Sequence, residues 1–244
     1  MRIDINSDVG EGFGQWPGGP DEALFAIISS ANVGCGFHAG DPTIMRRTCQ
    51  LAVDHNVTIG AHVSYPDLVG FGRRFIDIEP TDLRNAVVYQ IGALHAMASS
   101  VGAAVSYVKP HGALYNTIAQ HAAQAEAVMQ GVADAQRAVG ASLPILGLAD
   151  TCAQQVALDH GLAFVPEGFA DRGYQDNGLL IPRGQPGALL ATQDAVSTQV
   201  LRLAARGLAT ICIHSDSPGA TEIARWTHSA LTEHGYDIRS FLHT

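Results

Sequence analysis

Short β-branched or apolar runs alternate along the chain with stretches of helical period. The strand-like runs are Ile3–Ile5, Leu24–Ser29, Val57–Ala61, Val105–Val108, Pro144–Leu148, Leu162–Val165 and Ala209–Ile213. In the clearest helical stretch Leu83, Val87, Ile91, Leu94 and Ala98 recur at spacings of four, four, three and four, which lines one helix face. Val196, Val200 and Leu203 repeat the pattern, with Asp194 as the expected N-cap and Gly207 as the stop. Ile223, Trp226 and Ala230 do so again before Gly235. Asp41-Pro42 reads as an N-cap followed by a first-turn proline, opening a helix that ends near Asn56.

Seven strand–helix repeats predict a parallel sheet with right-handed crossovers. A doubly wound sheet and a closed barrel both satisfy that pattern, and polar placement favours the barrel. Strand after strand runs into ionisable groups at its C-terminal end: Asn6/Asp8/Glu11, Asn32/His38/Asp41, His62/Asp67, Lys109/His111, Glu167/Asp171/Arg172 and His214/Asp216. Only the fifth run, ending at Leu148-Ala149-Asp150, is poorly supplied. A doubly wound sheet gathers ligands at one switch point, whereas a barrel brings all its strand ends to one mouth. The expectation is a TIM-like α/β barrel, closed or nearly so. No linker or low-complexity tract divides it, so one domain over 1–244 is expected.

Composition then narrows the chemistry. The 244-residue chain is 47% hydrophobic and 15% charged, which excludes a disordered protein. Its net charge of −9, with no Lys/Arg cluster, argues against nucleic-acid and anionic-membrane partners. The chain opens on a strand-like run without a charged-then-apolar leader, and no 18-residue apolar stretch follows, so a cytoplasmic location is expected. The cysteines at 35, 49, 152 and 212 form no CxxC pair and read as small core residues.

Alternation sends Asp4, Asn6 and Asp8 to one side of the first strand, where their groups would aim at a barrel mouth as cation ligands or general base. Glycines 34, 36 and 40 around His38 suggest a tight turn beside a helix N-terminus, a natural anion site, while Asp41 is equally well explained as the cap. Asp8, His62 and His111 make a reasonable divalent-metal set with open positions for water. Lys109, the only lysine, would neutralise a carboxylate or a developing oxyanion. Arg172 would pair with Glu167 or Asp171 or clamp a substrate carboxylate, and Arg73 and Arg74 add two loop guanidiniums. Gly10–Gly14 is not a dinucleotide fingerprint, Lys109 lies in no Walker loop, and Ser215 has no GxSxG elbow.

The stretches Asp4–Gly14, Ala31–Pro42, Gly60–Arg74, Val108–Asn116, Glu167–Arg183 and Ile211–Ala220 resemble the LamB/YcsF family, most specifically in Asn-x-x-Cys-Gly-Phe-His-Ala-Gly-Asp and Lys-Pro-His-Gly-Ala-Leu-Tyr-Asn. The resemblance implies a seven-stranded barrel related to the polysaccharide deacetylase fold. It also implies opening of the 5-oxo-L-proline lactam to L-glutamate, coupled to ATP and requiring partner subunits B and C. Val63, Gly168, Gly173 and Ser215 depart from the family's usual residues. An unstrained lactam is hydrolysed uphill, so ATP must drive the opening; without a Walker loop here, a partner would bind or use the nucleotide.

From residue chemistry the expected roles are these. Asp8 is general base or metal ligand, His62 and His111 hold a metal or polarise the carbonyl, and His38 and Glu167 move protons. Lys109 and Arg172 bind carboxylate or phosphate charge, with Asn6, Glu11, Asn32, Arg74 and His214 as further substrate contacts. A stand-alone metal-dependent deacetylase or amidohydrolase, and a non-catalytic ligand-binding component, are the alternatives. A homo-oligomer is compatible with either.

Overall fold

Alternation along the first strand sets the architecture of the computed structural model, which describes residues 1–242. The last two residues of the expected domain lie outside those described. In β1 (Arg2–Val9) Ile3, Ile5 and Val9 face the surrounding helices, while Asp4, Asn6 and Asp8 point into the barrel. The parallel strands β2 (Ser30–Gly34), β3 (Thr58–Val63), β4 (Val105–Pro110), β5 (Ile145–Gly147), β6 (Phe164–Phe169) and β7 (Thr210–Ile213) follow in ring order. β1 pairs with both β2 and β7, so the seven strands close on themselves. That closure decides for the barrel over the doubly wound sheet.

The helices between the strands cover the ring. They are α1 (Asp21–Phe25), α2 (Pro42–His55), α3 (Pro80–Ser99), α4 (Gly112–Ile118), α5 (Ala122–Val139), α6 (Cys152–Asp159), α7 (Gln193–Ala205) and α8 (Ala220–Glu233). The stripe Leu83, Val87, Ile91, Leu94 and Ala98 is wholly buried on α3. Truncating one of its leucines to alanine costs ~2–5 kcal/mol. Asp41 caps α2 through the amides of Thr43 and Ile44, and Asn56 ends the helix in a left-handed conformation.

Four expectations are corrected. Leu24–Ser29 is not a strand: Leu24 and Phe25 belong to α1 and β2 begins at Ser30, because an apolar run of that length fits a buried helical turn equally well. The cap of α7 is Thr192 rather than Asp194. A two-residue strand, β8 (Asp237–Ile238), joins the N-terminal end of β1 and was too short to show in the pattern. The loop after β2 offers no free anion site, since the Gly36 amide donates to the Ala39 carbonyl, the Gly40 amide to that of Gly12, and Asp41 occupies the helix start.

The apolar core therefore lies outside the ring, between strands and helices. Inside it run Asp4, Asn6, Asp8, Ser30, Asn32, Tyr107, Lys109, Glu167, Thr210 and Cys212, all buried. Barrel interiors are ordinarily filled with branched apolar side chains. A polar interior leaves every one of these groups in need of a partner.

Candidate functional site

A cavity of about 470 Å³ opens at the C-terminal ends of the strands. Asp8, His62, Lys109, His111 and His214 line its floor, Tyr115 and Phe169 its walls, and Arg73, Arg172 and Arg183 its rim. β5 and the turn after it contribute nothing to the lining, as the poor polar supply at Leu148–Asp150 suggested.

Register explains why distant residues meet. β1 aligns Asp8 with Asn32 of β2, and β3 aligns His62 with Lys109 of β4. Lys109 is about 2% exposed, so it is no surface lysine. Its Nζ lies 3.4 Å from Asp8 Oδ1, 3.1 Å from Glu167 Oε2, 3.1 Å from Asn6 Oδ1 and 2.7 Å from Cys212 Sγ. Burial alone would strip its charge, but Asp8, Cys212 and Glu167 more than offset that and hold its pKa well above the ordinary value. Asp8 answers in kind. Burial opposes its charge, yet His62 and Lys109 hold its carboxyl well below the usual range.

Asn6 and Asn32 sit beneath this pair instead of facing the cavity. Asn32 Nδ2 donates to Asn6 Oδ1 at 2.7 Å and to Asp8 Oδ1 at 2.8 Å, and Asn6 donates to Thr210 Oγ1 at 2.7 Å. Both amides are spent on positioning Asp8 and Lys109. Glu167 is likewise under Lys109 and off the lining, so a proton-handling contact with substrate is not where the fold puts it.

On the same floor His214 forms a dyad with Asp171, its Nδ1 2.9 Å from Asp171 Oδ1, and Ser217 Oγ donates to Asp171 Oδ2 at 2.6 Å. Burial opposes the charge of Asp171, but His214 and the hydroxyl bond keep its pKa below the ordinary value. His214 Nε2 is thereby aimed into the cavity, 4.0 Å from Asp8 Oδ2. The dyad was legible only through register: Phe169 pairs with Cys212, so the residues two further along each strand arrive side by side.

Of the arginines suggested by the sequence, Arg172 reaches the cavity lining but without its expected ion pair, and Arg74 does not reach it. Arg172 makes no ion pair with Glu167 or Asp171; its Nε donates to the Ala188 carbonyl at 3.1 Å and its Nη2 to that of Ile181 at 2.6 Å, because Asp171 is already taken. Arg74 stays outside the cavity, paired with Asp67 and largely exposed. The other two rim arginines share an acid: Arg73 is 2.7 Å from Asp216, and Arg183 is 3.6 Å from the same carboxylate. Gly173 follows from the same loop: a Cβ there would lie 2.0 Å from the Gly187 carbonyl oxygen. The residue that departs from the family pattern is thus the one its own loop closure demands.

Behind His62 and His111 stand His38 and Glu11, fully enclosed and off the lining. His38 Nε2 is 2.9 Å from Glu11 Oε1, and the His38 ring stacks on His111 at 3.8 Å. Burial and the neighbouring His111 push His38 down to about 3, and burial lowers His111 as well. His62 moves the other way, since Asp8 outweighs its burial. Phe71 holds a left-handed φ of 53°, a conformation costing a non-glycine residue ~1 kcal/mol or more, and its carbonyl receives His111 Nε2 at 2.8 Å. At Gly72 a Cβ would meet His111 at 2.7 Å and His38 at 2.9 Å, so the turn seats on the histidines only with glycine there.

Known proteins agree with this frame. The LamB/YcsF family profile matches residues 3–244. The chain is 50% identical to the A subunit of 5-oxoprolinase from Mycobacterium ulcerans (strain Agy99) over 98% of both chains. It is 47% identical to that of Nocardia farcinica (strain IFM 10152), over 99% of this chain and all of the other. Among solved structures it superimposes on the lactam utilization protein of Thermus thermophilus with a TM-score of 0.91 at 36% identity, covering 98% of this chain and 100% of that one. A polysaccharide deacetylase from Bacillus cereus shares the fold alone, with a TM-score of 0.52 at 10% identity, covering 98% and 92%. Among the described residues no helix is long and apolar enough to cross a membrane.

Proposed function

From the premise that the chain belongs to the LamB/YcsF family, we propose that it is the lactam-opening component of an ATP-dependent 5-oxoprolinase. In the overall reaction 5-oxo-L-proline, ATP and two waters give L-glutamate, ADP and phosphate, with this chain acting beside subunits B and C. The relatives are named as the A subunit of 5-oxoprolinase and the Thermus protein as a lactam utilization protein, and both names support the substrate class. The observation that carries the reading is the Asp171–His214 dyad facing the Asp8–Lys109 pair on one cavity floor.

That arrangement suits hydrolysis at an activated carbonyl. His214, with Nδ1 committed to Asp171, takes the proton of an attacking water at Nε2. Asp8 stays ionised opposite it, and the Lys109 ammonium, itself buried at the cavity floor, is positioned to stabilise oxyanion charge. Arg73 and Arg183, tied to Asp216 at the mouth, meet the substrate carboxylate or a phosphoryl group on the activated lactam. The chain has no Walker loop, so the nucleotide is bound by a partner or at a shared face.

The test is reconstitution with subunits B and C, following loss of 5-oxoproline and of ATP together. His214→Ala and Asp171→Asn should each lower glutamate formation ~100-fold or more with the assembly intact. Unchanged turnover in both variants refutes the assignment. Lactam or amide hydrolysis by the lone chain without ATP points instead to the stand-alone amidohydrolase, and wild-type rates in every cavity variant point to a purely ligand-binding role.

A further inference from the structure

His62 and His111 of the cavity floor, with Glu11 and His38 behind them, form a group that the lactam reading leaves without a task. Glu11 comes from the turn after β1, His38 from the loop between β2 and α2, His62 from β3 and His111 from the start of α4. All are buried, and one donor atom from each lies within 4.8 Å of the others.

Their tautomers can be read from the backbone. His62 Nδ1 is 3.0 Å from the Lys109 carbonyl and His111 Nε2 is 2.8 Å from the Phe71 carbonyl. A carbonyl oxygen only accepts, so each of these nitrogens carries its ring's proton. On a neutral ring the other nitrogen is an acceptor; His62 Nε2 and His111 Nδ1 face each other at 2.9 Å, with Asp8 Oδ1 3.4 Å from the former. Glu11 Oε1, an acceptor too, is 3.2 Å from His111 Nδ1 and 3.7 Å from His62 Nε2. Groups of this kind are brought so close by a positive centre, either a proton on His62 facing Asp8 or a bound cation in its place. A cation bonded tetrahedrally at ~2.0–2.2 Å to nitrogen and carboxylate oxygen sets its ligand atoms ~3.3–3.6 Å apart, and the separations of 2.9, 3.2 and 3.7 Å lie within about 0.4 Å of that range. A ring held through its second nitrogen by a backbone carbonyl is also how metal-binding histidines are oriented.

We propose that Glu11, His38, His62 and His111 form a site for one divalent transition ion of the zinc class. Three imidazoles and one carboxylate suit zinc, cobalt or iron rather than magnesium or calcium, which take oxygen-rich sets. The ligand set differs from the Asp8, His62, His111 combination suggested by the sequence. Asp8 is engaged by Asn32 and Lys109, and an ion bound to it would lie against the lysine ammonium. A second group, Asp8, Cys212 and His214, fails for the same reason, with Lys109 Nζ 2.7 Å from the thiol. The site stands on these donors whether or not the lactam reading holds. Where that reading holds, an ion here would act as a Lewis acid beside His62 and His111, the two members that reach the cavity.

The experiment is metal titration of the full chain after chelator treatment, with zinc and with cobalt as a spectroscopic probe, and folding followed by circular dichroism. One equivalent should bind, and cobalt should give the absorption of a nitrogen-rich site. Glu11→Gln and His38→Gln should each weaken binding at least as much as the ~10–100-fold carried by outer-shell partners, whereas Asp8→Asn should weaken it less than either. Should His62→Ala fail to fold, the Glu11 and His38 variants carry the test. Less than half an equivalent bound by the wild type, equal binding by Glu11→Gln, or an NMR signature of one proton shared between His62 and His111 in the presence of excess zinc overturns the proposal. Because the readout is binding, failure here leaves the reconstitution assay for the lactam reading untouched.

Discussion

Asp4 and Asp8 sit on the same strand, point to the same inside of the barrel and are equally enclosed, yet they are held in opposite ways. Around Asp4 the partners are hydroxyls: Ser29 Oγ at 2.6 Å, Ser30 Oγ at 2.7 Å and Thr210 Oγ1. Burial wins there and lifts Asp4 to about 6. Around Asp8 the partners are Lys109, His62 and an Asn32 amide, and the cations win, holding it ionised. The lower layer is a hydrogen-bond plug in which hydroxyls alone meet the carboxyl, whereas the upper layer is a charged floor under the cavity. Burial by itself therefore says nothing about whether a carboxylate is ready for chemistry; the charge of its neighbours decides.

The strongest way to break the contrast is to remove the upper layer's cation. Lys109→Met leaves Asp8 and Glu167 buried without their counter-charge, and loss of one partner from such a group costs ~3–5 kcal/mol. Chemical denaturation should register that loss, and turnover in the reconstituted assembly should fall ~100-fold or more. A variant as stable as wild type would show that the two layers are not different in kind.

The lower layer is tested through pH. Asp4 has a folded pKa above its unfolded value of 3.8, so its contribution to stability is complete below about 3.8 and is lost as pH rises through about 6. Asp4→Asn should therefore be more stable than wild type above pH 7, by at most ~3 kcal/mol, and equal to it near pH 4. Denaturation midpoints at the two pH values check this, and a gain that persists at pH 4 would locate the effect elsewhere.

The smallest effect separates neighbours at the mouth. Arg73→Ala should raise KM about tenfold, the size of a lost charged hydrogen bond. Arg74→Ala, whose guanidinium stays outside the cavity on Asp67, should leave KM within about twofold. Steady-state kinetics on the reconstituted assembly distinguishes the two, and equal effects would mean the rim is drawn in the wrong place.

The alternation of Asp4, Asn6 and Asp8, the α3 stripe and the Asp41 cap with Pro42 beside it were all plain in the sequence, because each is a relation between residues a few positions apart. The run Leu24–Ser29 misled because five apolar positions carry no period of their own. For the site, the sequence showed which strand ends are polar but not which of them touch. Arg172 looked like a partner for the acid next to it, yet that acid is turned to His214, 43 residues on.

What the sequence determined by itself was a ring of alternating strands and helices with polar groups crowded at one end, since periodicity and capping are local. Only the tertiary structure decided that Asp8 belongs with Lys109, that Asp171 belongs with His214, and that Glu11 and His38 complete the histidine pair. Those partnerships follow from the lateral register between strands and from closure of the first strand on the second and seventh. Register is set by the packing of the whole apolar shell, and no short-range pattern along the chain encodes it.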